Sequence, residues 1–254
     1  MDIRDRSVEA IVLRAKDYRD QDRLLTLVSA QAGPELAIAR GARKSGASQA
    51  ALAQPFSRIN VLLSPAKGGV SFVREGRQEE SFLPPGGDVT RFAYLSYFSE
   101  LLLAVWPQGR VAPELYGLTL AACTLLKLDG DLARTARWFE LSLLQALGLL
   151  PELAVCARCG LSQGQGEGRF YCLSPAQGAL LCPSCAGADP APRLSPGALK
   201  TAQALLQAPL TRLTSIRIGR IIGQELEEAL DYYLSWQVEQ AAPAKKRLLE
   251  LRDF

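Results

Sequence analysis

Residues 156–185 have the sequence CARCGLSQGQGEGRFYCLSPAQGALLCPSC, which contains two Cys-x-x-Cys pairs. A Cys-x-x-Cys turn directs two thiolates toward one centre, and a second pair completes a tetrahedral set. Zinc favours this all-sulfur tetrahedron, and a closed site of four cysteines leaves no position open for a substrate. We therefore predict one structural zinc ion per chain, bound by Cys156, Cys159, Cys182 and Cys185.

Two other interpretations of these cysteines remain open, namely unrelated buried thiols or a redox motif. The spacer between the pairs has 22 residues, slightly more than in common zinc ribbons. Its excess lies in the glycine-rich segment 163–168, which we expect to be a loop tip. Cys123 and Cys172 are expected to be bystanders, because Cys123 lies in an apolar helical run and Cys172 has no partner at knuckle spacing.

The composition is that of a globular protein, with 48% apolar and 22% charged residues among 254. A chain of this length can form one large domain or two to three small ones. The segment Met1–Arg6 is charged and has no apolar signal core, so we expect a cytoplasmic protein rather than a secreted one. The uncharged run Leu115–Leu126 is too short to cross a bilayer. In this setting paired cysteines favour a metal over disulfides.

The sequence contains no histidine. This removes the commonest general base, the usual third member of a hydrolytic triad and any zinc site that uses imidazole. Carboxylates and lysines could still do chemistry, but an enzyme is less expected without histidine. We predict a protein that is not an enzyme and has no small-molecule substrate.

Residues 7–80 contain five short runs rich in β-branched and apolar residues, separated by glycine and proline. This pattern predicts a small β-barrel. The predicted strands are Ser7–Leu13, Leu24–Ser29, Leu36–Ala39, Phe56–Leu63 and Val70–Arg74.

The periodicity changes to about 3.6 residues after the Pro- and Gly-rich boundary 82–87. Asp88 is a plausible N-cap, and Gly148 and Pro151 end a strongly apolar helix that should be central to a bundle. The predicted helices are 88–106, 113–127, 132–147, 195–207 and 219–238. The acidic residues of the last one (Glu225, Glu227, Glu228 and Asp231) are expected to form a solvated face.

The segment Arg40–Gly46 is a basic, glycine-containing loop in the part of the chain that carries the whole net charge. Residues 1–80 hold 13 Lys and Arg against 10 Asp and Glu. Backbone amides and cations in such a loop could hold phosphates, although a solvated surface loop is an equal alternative. The dipeptide Lys44-Ser45 lacks the glycine spacing of a nucleotide-binding loop, so we reject nucleotide binding.

Asp17, Asp20 and Asp22 form a small acidic cluster. Such a cluster could hold magnesium, which would fit a metal-dependent nuclease. Because lysine and arginine alternate with these residues, a charged, solvated connection is the better interpretation.

Several of these motifs resemble the bacterial RecO family, and the resemblance covers nearly the whole chain. It is most specific in the helix and the two cysteine knuckles, although Ala179 stands where relatives often have glycine. The matching segments are Ala10–Arg14, Arg40–Ser45, Gln54–Phe56, Ala136–Leu141, Leu147–Leu153, Cys156–Gly160 and Phe170–Cys185.

The resemblance implies an α+β protein with an N-terminal OB-fold β-barrel, an α-helical domain and an inserted four-cysteine zinc module. We expect the OB-fold domain at 1–81, the helical domain at 88–153 and 194–254, and the zinc module at 154–187.

The resemblance also implies a DNA repair and recombination mediator. Such a protein binds single- and double-stranded DNA, anneals complementary strands and, with RecR, helps to load RecA onto strands covered by single-strand-binding protein. In this family the helical domain would receive a protein tail. We therefore predict that a fragment 88–254 binds the C-terminal tail of single-strand-binding protein. The alternative is a zinc-ribbon RNA-binding or transcription-associated module.

The barrel offers few aromatic residues on which bases could stack. Of Tyr18, Phe56 and Phe72, the last two are expected in the core. Phosphate contacts must then supply most of the affinity, with the loop 40–44 leading because its glycine allows close approach to a backbone. The candidate DNA-binding cations are Arg14, Arg40, Arg43, Lys44 and Lys67.

Overall fold

The computed structural model describes residues 5–44, 48–65, 67–83, 86–162, 170–239 and 241–252. The chain divides into two compact units. One extends to Leu128 and includes the chain end from Glu250, and the other extends from Asp129 to Leu249. The predicted loop tip 163–168 lies outside the described residues. Within them, no helix combines the length and the apolar character needed to cross a membrane.

Five strands of the first unit close into a barrel in the order β1-β2-β3-β5-β4, with β4 pairing back onto β1. All neighbours are antiparallel except β3 and β5. This is the strand arrangement of an OB-fold, which confirms the expected fold class. The strands are β1 Arg6–Tyr18, β2 Asp22–Ser29, β3 Gly33–Ala39, β4 Ser57–Pro65 and β5 Val70–Ser81.

Alternation of apolar and polar residues along the strands fills the barrel interior, because successive side chains of a strand point to opposite faces. Helix α1 (Ser48–Leu52) adds Leu52 to the same core, together with the adjacent Ala53. The inward-facing strand residues are small to medium in size: Val8, Ala10, Val12, Leu25, Leu27, Ala37, Ala39, Ile59, Val61, Leu63 and Val73.

The first two long helices, α2 (Val89–Val105) and α3 (Pro113–Leu128), belong to the same unit as the barrel. Asp88 caps α2 by accepting a hydrogen bond from the Arg91 backbone N–H at 2.9 Å. The Ser99 hydroxyl donates to the Leu13 carbonyl at 3.0 Å, and the Tyr116 hydroxyl donates to a Glu9 carboxylate oxygen at 3.1 Å. Both hydrogen bonds join a helix to strand β1.

Phe56 lies between the barrel and α2. It is buried, as predicted, and its ring meets Phe92 edge-on with the centroids 5.6 Å apart. Its φ of 58° is unusual for a residue with a side chain. The Phe56 backbone N–H donates to the Val12 carbonyl at 2.7 Å, and its carbonyl accepts from the Phe82 N–H at 2.9 Å. These two bonds hold the strained residue in place.

The second unit combines helices with a small three-stranded sheet of order β7-β6-β8. In chain order its elements are α4 Leu132–Ala146, β6 Tyr171–Ser174, β7 Ala179–Leu181, α5 Pro183–Ala186, β8 Arg193–Leu194, α6 Pro196–Gln207, α7 Leu210–Leu213, α8 Arg220–Gln237 and most of α9 Ala241–Arg252, whose residues from Glu250 are grouped with the first unit. Helix α4 is buried along nearly its whole length and contacts α6 and α8, as expected for a central helix.

The expected solvated face of α8 is only partly solvated. The Lys245 ammonium, which is buried, contacts carboxylate oxygens of Glu227 at 2.7 Å and of Asp231 at 3.0 Å. A Glu225 carboxylate oxygen accepts from the Ser195 backbone N–H at 2.8 Å. Three of the four acidic residues therefore join α8 to neighbouring elements, and only Glu228 is exposed as predicted.

Candidate metal centre and nucleic-acid interface

The two Cys-x-x-Cys segments form similar tight turns. The Gly160 N–H donates to the Cys156 carbonyl at 2.9 Å, and the Cys185 N–H donates to the Cys182 carbonyl at 3.0 Å. Gly160 has a φ of +71°, which glycine adopts without a steric penalty. The Ala157 N–H donates to the carbonyl of Leu180 at 2.9 Å, which brings the first turn beside strand β7. Cys182 follows β7 directly, so the two turns meet.

The four sulfur atoms of these turns lie within 4.8 Å of one another. The sulfurs of Cys159 and Cys182 are 3.7 Å apart. A tetrahedral zinc site with Zn–S bonds of about 2.3 Å separates its sulfurs by about 3.8 Å. Of the residues that the structure describes, these cysteines alone form a group that could hold a metal ion.

The electrostatics of the first turn favour a thiolate at Cys156. Burial raises the pKa of this thiol, but backbone N–H groups of Cys182, Cys159 and Arg158 point at the sulfur and lower its pKa to about 6. The Cys185 S–H instead donates to the sulfurs of Cys159 and Cys182, and these hydrogen bonds stabilise the thiol and raise the pKa of Cys185 to about 12. A shared negative charge on the cluster is thus stabilised first at Cys156, where the amide donors converge.

Side chains outside the four cysteines fasten the two turns to each other and to the sheet. The Arg158 guanidinium donates to the Cys185 carbonyl at 3.2 Å and to a Gln177 side-chain oxygen at 3.4 Å. The Tyr171 hydroxyl donates to the Ser162 carbonyl at 2.8 Å. The Arg158 bonds join the first turn to the second turn and to the loop between β6 and β7, and the Tyr171 bond joins the start of β6 to the segment after the first turn. These hydrogen bonds therefore connect the turns independently of the cysteine sulfurs.

The donor set fits a soft or borderline metal ion such as zinc, because four thiolates at tetrahedral spacing are the commonest structural zinc ligands. All four protein positions of such a tetrahedron are filled, so the arrangement provides folding energy rather than an open position for chemistry.

The remaining cysteines are outside this cluster. Cys172 lies on β6 and is fully buried, and burial raises its pKa. Cys123 lies in α3, where burial raises its pKa to about 12. Both thiols are therefore protonated at neutral pH and positioned as small core residues.

The predicted basic loop packs closely against the β1-β2 hairpin. The Gly41 N–H donates to an Asp22 carboxylate oxygen at 2.8 Å, and the Lys44 N–H donates to the Gly41 carbonyl at 3.0 Å. The Arg43 guanidinium lies 3.3 Å from an Asp17 carboxylate oxygen and donates to the Asp20 carbonyl at 3.2 Å. Within the described part of this loop, the backbone is held by the hairpin rather than free to enclose a phosphate.

These contacts also settle what the acidic cluster does. Asp17 pairs with Arg23 at 3.7 Å as well as with Arg43, and Asp22 anchors the loop backbone. The aspartates act as ties between hairpin and loop, in agreement with the charged-connection interpretation. They do not form a metal-ligand group among the described residues.

The five candidate DNA-binding cations differ in their surroundings. Arg14, Arg40 and Lys44 are exposed, and in the described part of the chain none of them has an acidic partner, whereas Arg43 does. Arg14 is on strand β1 and Arg40 follows β3, so both lie on the barrel wall. Lys67 belongs to the short turn Lys67–Gly69, and its side chain lies outside the described part.

The contact between Phe72 and Arg40 on the barrel wall is not predicted from the sequence. Phe72 is half-buried rather than in the core, and the Arg40 guanidinium carbon lies 4.0 Å from its ring centroid. The prediction that Phe72 is a core residue is therefore wrong. The residue that points into the barrel on that part of β5 is Val73. Because successive residues of a strand alternate between its two faces, Phe72 then points outward.

The opposite part of the barrel wall is charge-compensated. The Arg58 guanidinium lies within 4.0 Å of Glu9 and 3.8 Å of Glu80, and the Lys127 ammonium is 2.8 Å from Glu80. These residues come from the first half of β1, from β4, from the second half of β5 and from α3. The exposed cations that have no acidic partner in the described part of the barrel include Arg14 and Lys16 on the second half of β1, and Arg40 and Lys44 after β3.

Comparisons with known proteins agree with both parts of the chain. Residues 1–82 match the family model "Recombination protein O N terminal", and residues 86–247 match "Recombination protein O C terminal". The DNA repair protein RecO of Symbiobacterium thermophilum is 33% identical over 251 residues, covering 97% of this chain and 98% of that protein. The RecO proteins of Anaeromyxobacter sp. (strain K) and Bacillus pumilus are 33% and 30% identical, over 95% and 89% of this chain and 94% and 86% of theirs.

Proposed function

The chain belongs to the RecO family of DNA repair proteins, and on this premise we propose that it is a recombination mediator rather than an enzyme. It binds single- and double-stranded DNA, anneals complementary strands and, with RecR, helps to load RecA onto strands covered by single-strand-binding protein. Its place of action is the cytoplasm, in association with the nucleoid.

The observation that carries this proposal is the unequal charge of the barrel wall. Among the described residues, one part of the wall holds exposed arginines and lysines without acidic partners, and another part holds paired ions. Phosphate contacts of such cations bind nucleic acid without reading its sequence. An annealing protein needs contacts of this kind, because the base edges must stay free to pair.

The four cysteines support a structural zinc ion rather than a catalytic one. Their sulfurs lie within 4.8 Å of one another, close enough to bind one ion, and backbone amides favour the thiolate at Cys156. Zinc bound there would stabilise the 154–187 segment in the way that it stabilises small zinc modules.

A partner site for single-strand-binding protein is supported at the start of α2. Tyr94, Tyr97 and Phe98 are buried, but Phe92 and Val89 are 40% and 53% exposed and line one apolar pocket. Because α2 belongs to the same compact unit as the barrel, a fragment 88–254 would divide that unit. The binding of the C-terminal tail should therefore be tested with the full chain, comparing the wild type with Phe92→Ser by calorimetry.

The decisive test of the function is strand annealing, with and without single-strand-binding protein on the complementary strands. We expect faster annealing than in protein-free controls under both conditions. An RNA competitor tests the RNA-binding alternative, since strong preference for RNA over DNA of the same sequence would favour that alternative. Absence of DNA binding and of annealing at low salt would refute the proposal.

A further inference from the structure

Strand pairing places two rows of residues side by side on the outer wall of the barrel. The register runs Arg14–Thr26–Leu36–Val70 in one row and Lys16–Leu24–Ile38–Phe72 in the other, from β1 across β2 and β3 to β5. Directly paired residues point to the same face of a sheet. We call these eight residues the outer face.

The outer face combines apolar surface with positive charge. Its apolar members are half-buried rather than buried, and Arg14 and Lys16 at its β1 edge are exposed. Neither row contains a carboxylate. A surface of this composition is complementary to a polyanion that also has apolar faces, which describes a single strand of DNA better than a duplex.

Phe72 and Arg40 form a stacked pair at the β5 edge of the outer face. The guanidinium carbon of Arg40 is 4.0 Å from the Phe72 ring centroid, close enough for the guanidinium to lie against the ring. Arg40 is exposed and has no acidic partner among the described residues. The guanidinium is therefore a planar, charged group that is supported by an aromatic ring and open to a ligand.

We propose that the Phe72–Arg40 pair is a stacking site for one unpaired base of single-stranded DNA. The inference rests on the proposed function and goes beyond it, because it assigns strand-type selectivity to named residues. Bases stack on aromatic rings and on arginine planes, and such stacking tolerates any sequence. A base inside a duplex has both faces covered, so only an unpaired base can use the site. Arg14 and Lys16 lie about 14 Å away, three strand spacings across the outer face, where they can contact phosphates farther along the strand.

The test measures affinity by fluorescence anisotropy for an oligothymidine and for a duplex of the same length, using the full chain. We expect Phe72→Leu to weaken single-strand binding by about 5- to 100-fold, the range for loss of one base stack. Duplex affinity and the slope of affinity against salt should be unchanged, since no phosphate contact is removed. Phe170→Leu, which makes the same exchange at an exposed phenylalanine of the second unit, is the matched control and should bind like the wild type.

Two further measurements separate stacking from misfolding. Arg40→Lys keeps the charge but loses the plane, so it should lose single-strand affinity with a preserved salt slope. Wild-type protein should bind a strand of abasic nucleotides more weakly than the normal strand, and this comparison requires no variant to fold. The two proteins should bind the abasic strand equally.

The outcomes distinguish the inference from the function. If the wild type binds strands and duplexes but Phe72→Leu keeps full single-strand affinity, the stacking site is refuted and the mediator function stands. The stacking site is also refuted if abasic and normal strands bind the wild type equally. If the wild type binds neither form of DNA at low salt, the proposed function itself fails.

Discussion

The four-cysteine centre and the basic loop 40–44 are both short groups of charged or ionisable residues, yet they are organised in opposite ways. In the centre, all four sulfurs lie within 4.8 Å of one another, and backbone amides reinforce their shared charge. In the loop, the cations point to different neighbours, and Asp17 offsets the charge of Arg43. Arg40 joins Phe72 instead.

The difference shows that grouping in sequence becomes grouping in space only where the local backbone enforces it. A Cys-x-x-Cys turn fixes the positions of its two side chains by its own hydrogen bonds. A run of arginines and lysines does not fix the positions of its side chains. Arg43 therefore pairs with an acidic residue while Arg40 lies over an aromatic ring. The number of cations in a loop is therefore a poor measure of how many of them can contact DNA phosphates. The following variants test this difference between the cysteine centre and the basic loop.

Removing one cysteine should have the largest effect. Cys182→Ser should abolish stoichiometric zinc and loosen residues 171–187, because zinc binding of this type contributes on the order of 10 kcal/mol of folding free energy in small modules. The barrel should keep its protection against amide hydrogen exchange. Elemental analysis and hydrogen exchange measure both effects.

Cys172→Ala is the matched control, because Cys172 is buried on the same hairpin but outside the sulfur cluster. It should keep its full metal content. Absence of zinc from the wild type, or full zinc content in Cys182→Ser, would contradict the assignment.

The next largest effect should come from removing the acidic partner of the loop cation Arg43. Asp17→Asn removes the partner of both Arg23 and Arg43. We expect tighter DNA binding, with a salt slope steeper by about 0.7 on single strands if one further phosphate contact forms. The melting temperature should change little, since exposed ion pairs contribute only about 0–1 kcal/mol. Unchanged or weaker DNA affinity would show that Asp17 does not limit the loop.

Removing the loop cations should have a smaller effect than the raw charge suggests. The double variant Arg43→Ala, Lys44→Ala should bind DNA more weakly, with a salt slope shallower by about 0.7 rather than about 1.4, because Arg43 is already paired. Zinc content should stay the same. Equal affinity and equal slope in the variant and the wild type would place the DNA path elsewhere.

The smallest effect should be seen in the pH dependence of the zinc-binding segment. The Ser174 hydroxyl donates to Asp189 at 2.5 Å, and this bond lowers the pKa of the Asp189 carboxyl. A carboxyl whose pKa is lower in the folded than in the unfolded state stabilises the fold at pH values above the unfolded-state pKa. This stabilisation is lost as the pH falls through the folded-state pKa. Ser174→Ala should thus weaken this segment more at pH 7 than at pH 3. A constant difference between the two proteins across this range, measured by urea unfolding, would argue against this contribution.

Much of the fold follows from local pattern, and the exceptions have a common cause. The sequence predicts the barrel strands, the cap at Asp88 and the cysteine turns, because they depend on neighbours within a few residues. The same holds for the start of α6, where the Ser195 hydroxyl caps the helix by accepting from the Ala198 N–H at 3.2 Å. The partners of Phe72 and Glu227 come from other elements, so alternation misplaces Phe72 and charge alone misplaces Glu227. The outer face required the strand register, which pairs residues as far apart as Lys16 and Phe72 through two intervening strands.

The position of β5 in the barrel has a consequence for how the protein is made. Before β5 leaves the ribosome, the nascent chain can pair β3, β2, β1 and β4 in an open sheet with two unpaired edges, at β3 and at β4. Strand β5 is the last of the five to be synthesised, and it pairs with both of these edges. Unpaired edges invite association with other chains. A translation product that stops between Pro65 and Ser81 should therefore be the most aggregation-prone intermediate of this protein, and completion of β5 removes that hazard while it brings Phe72 to Arg40.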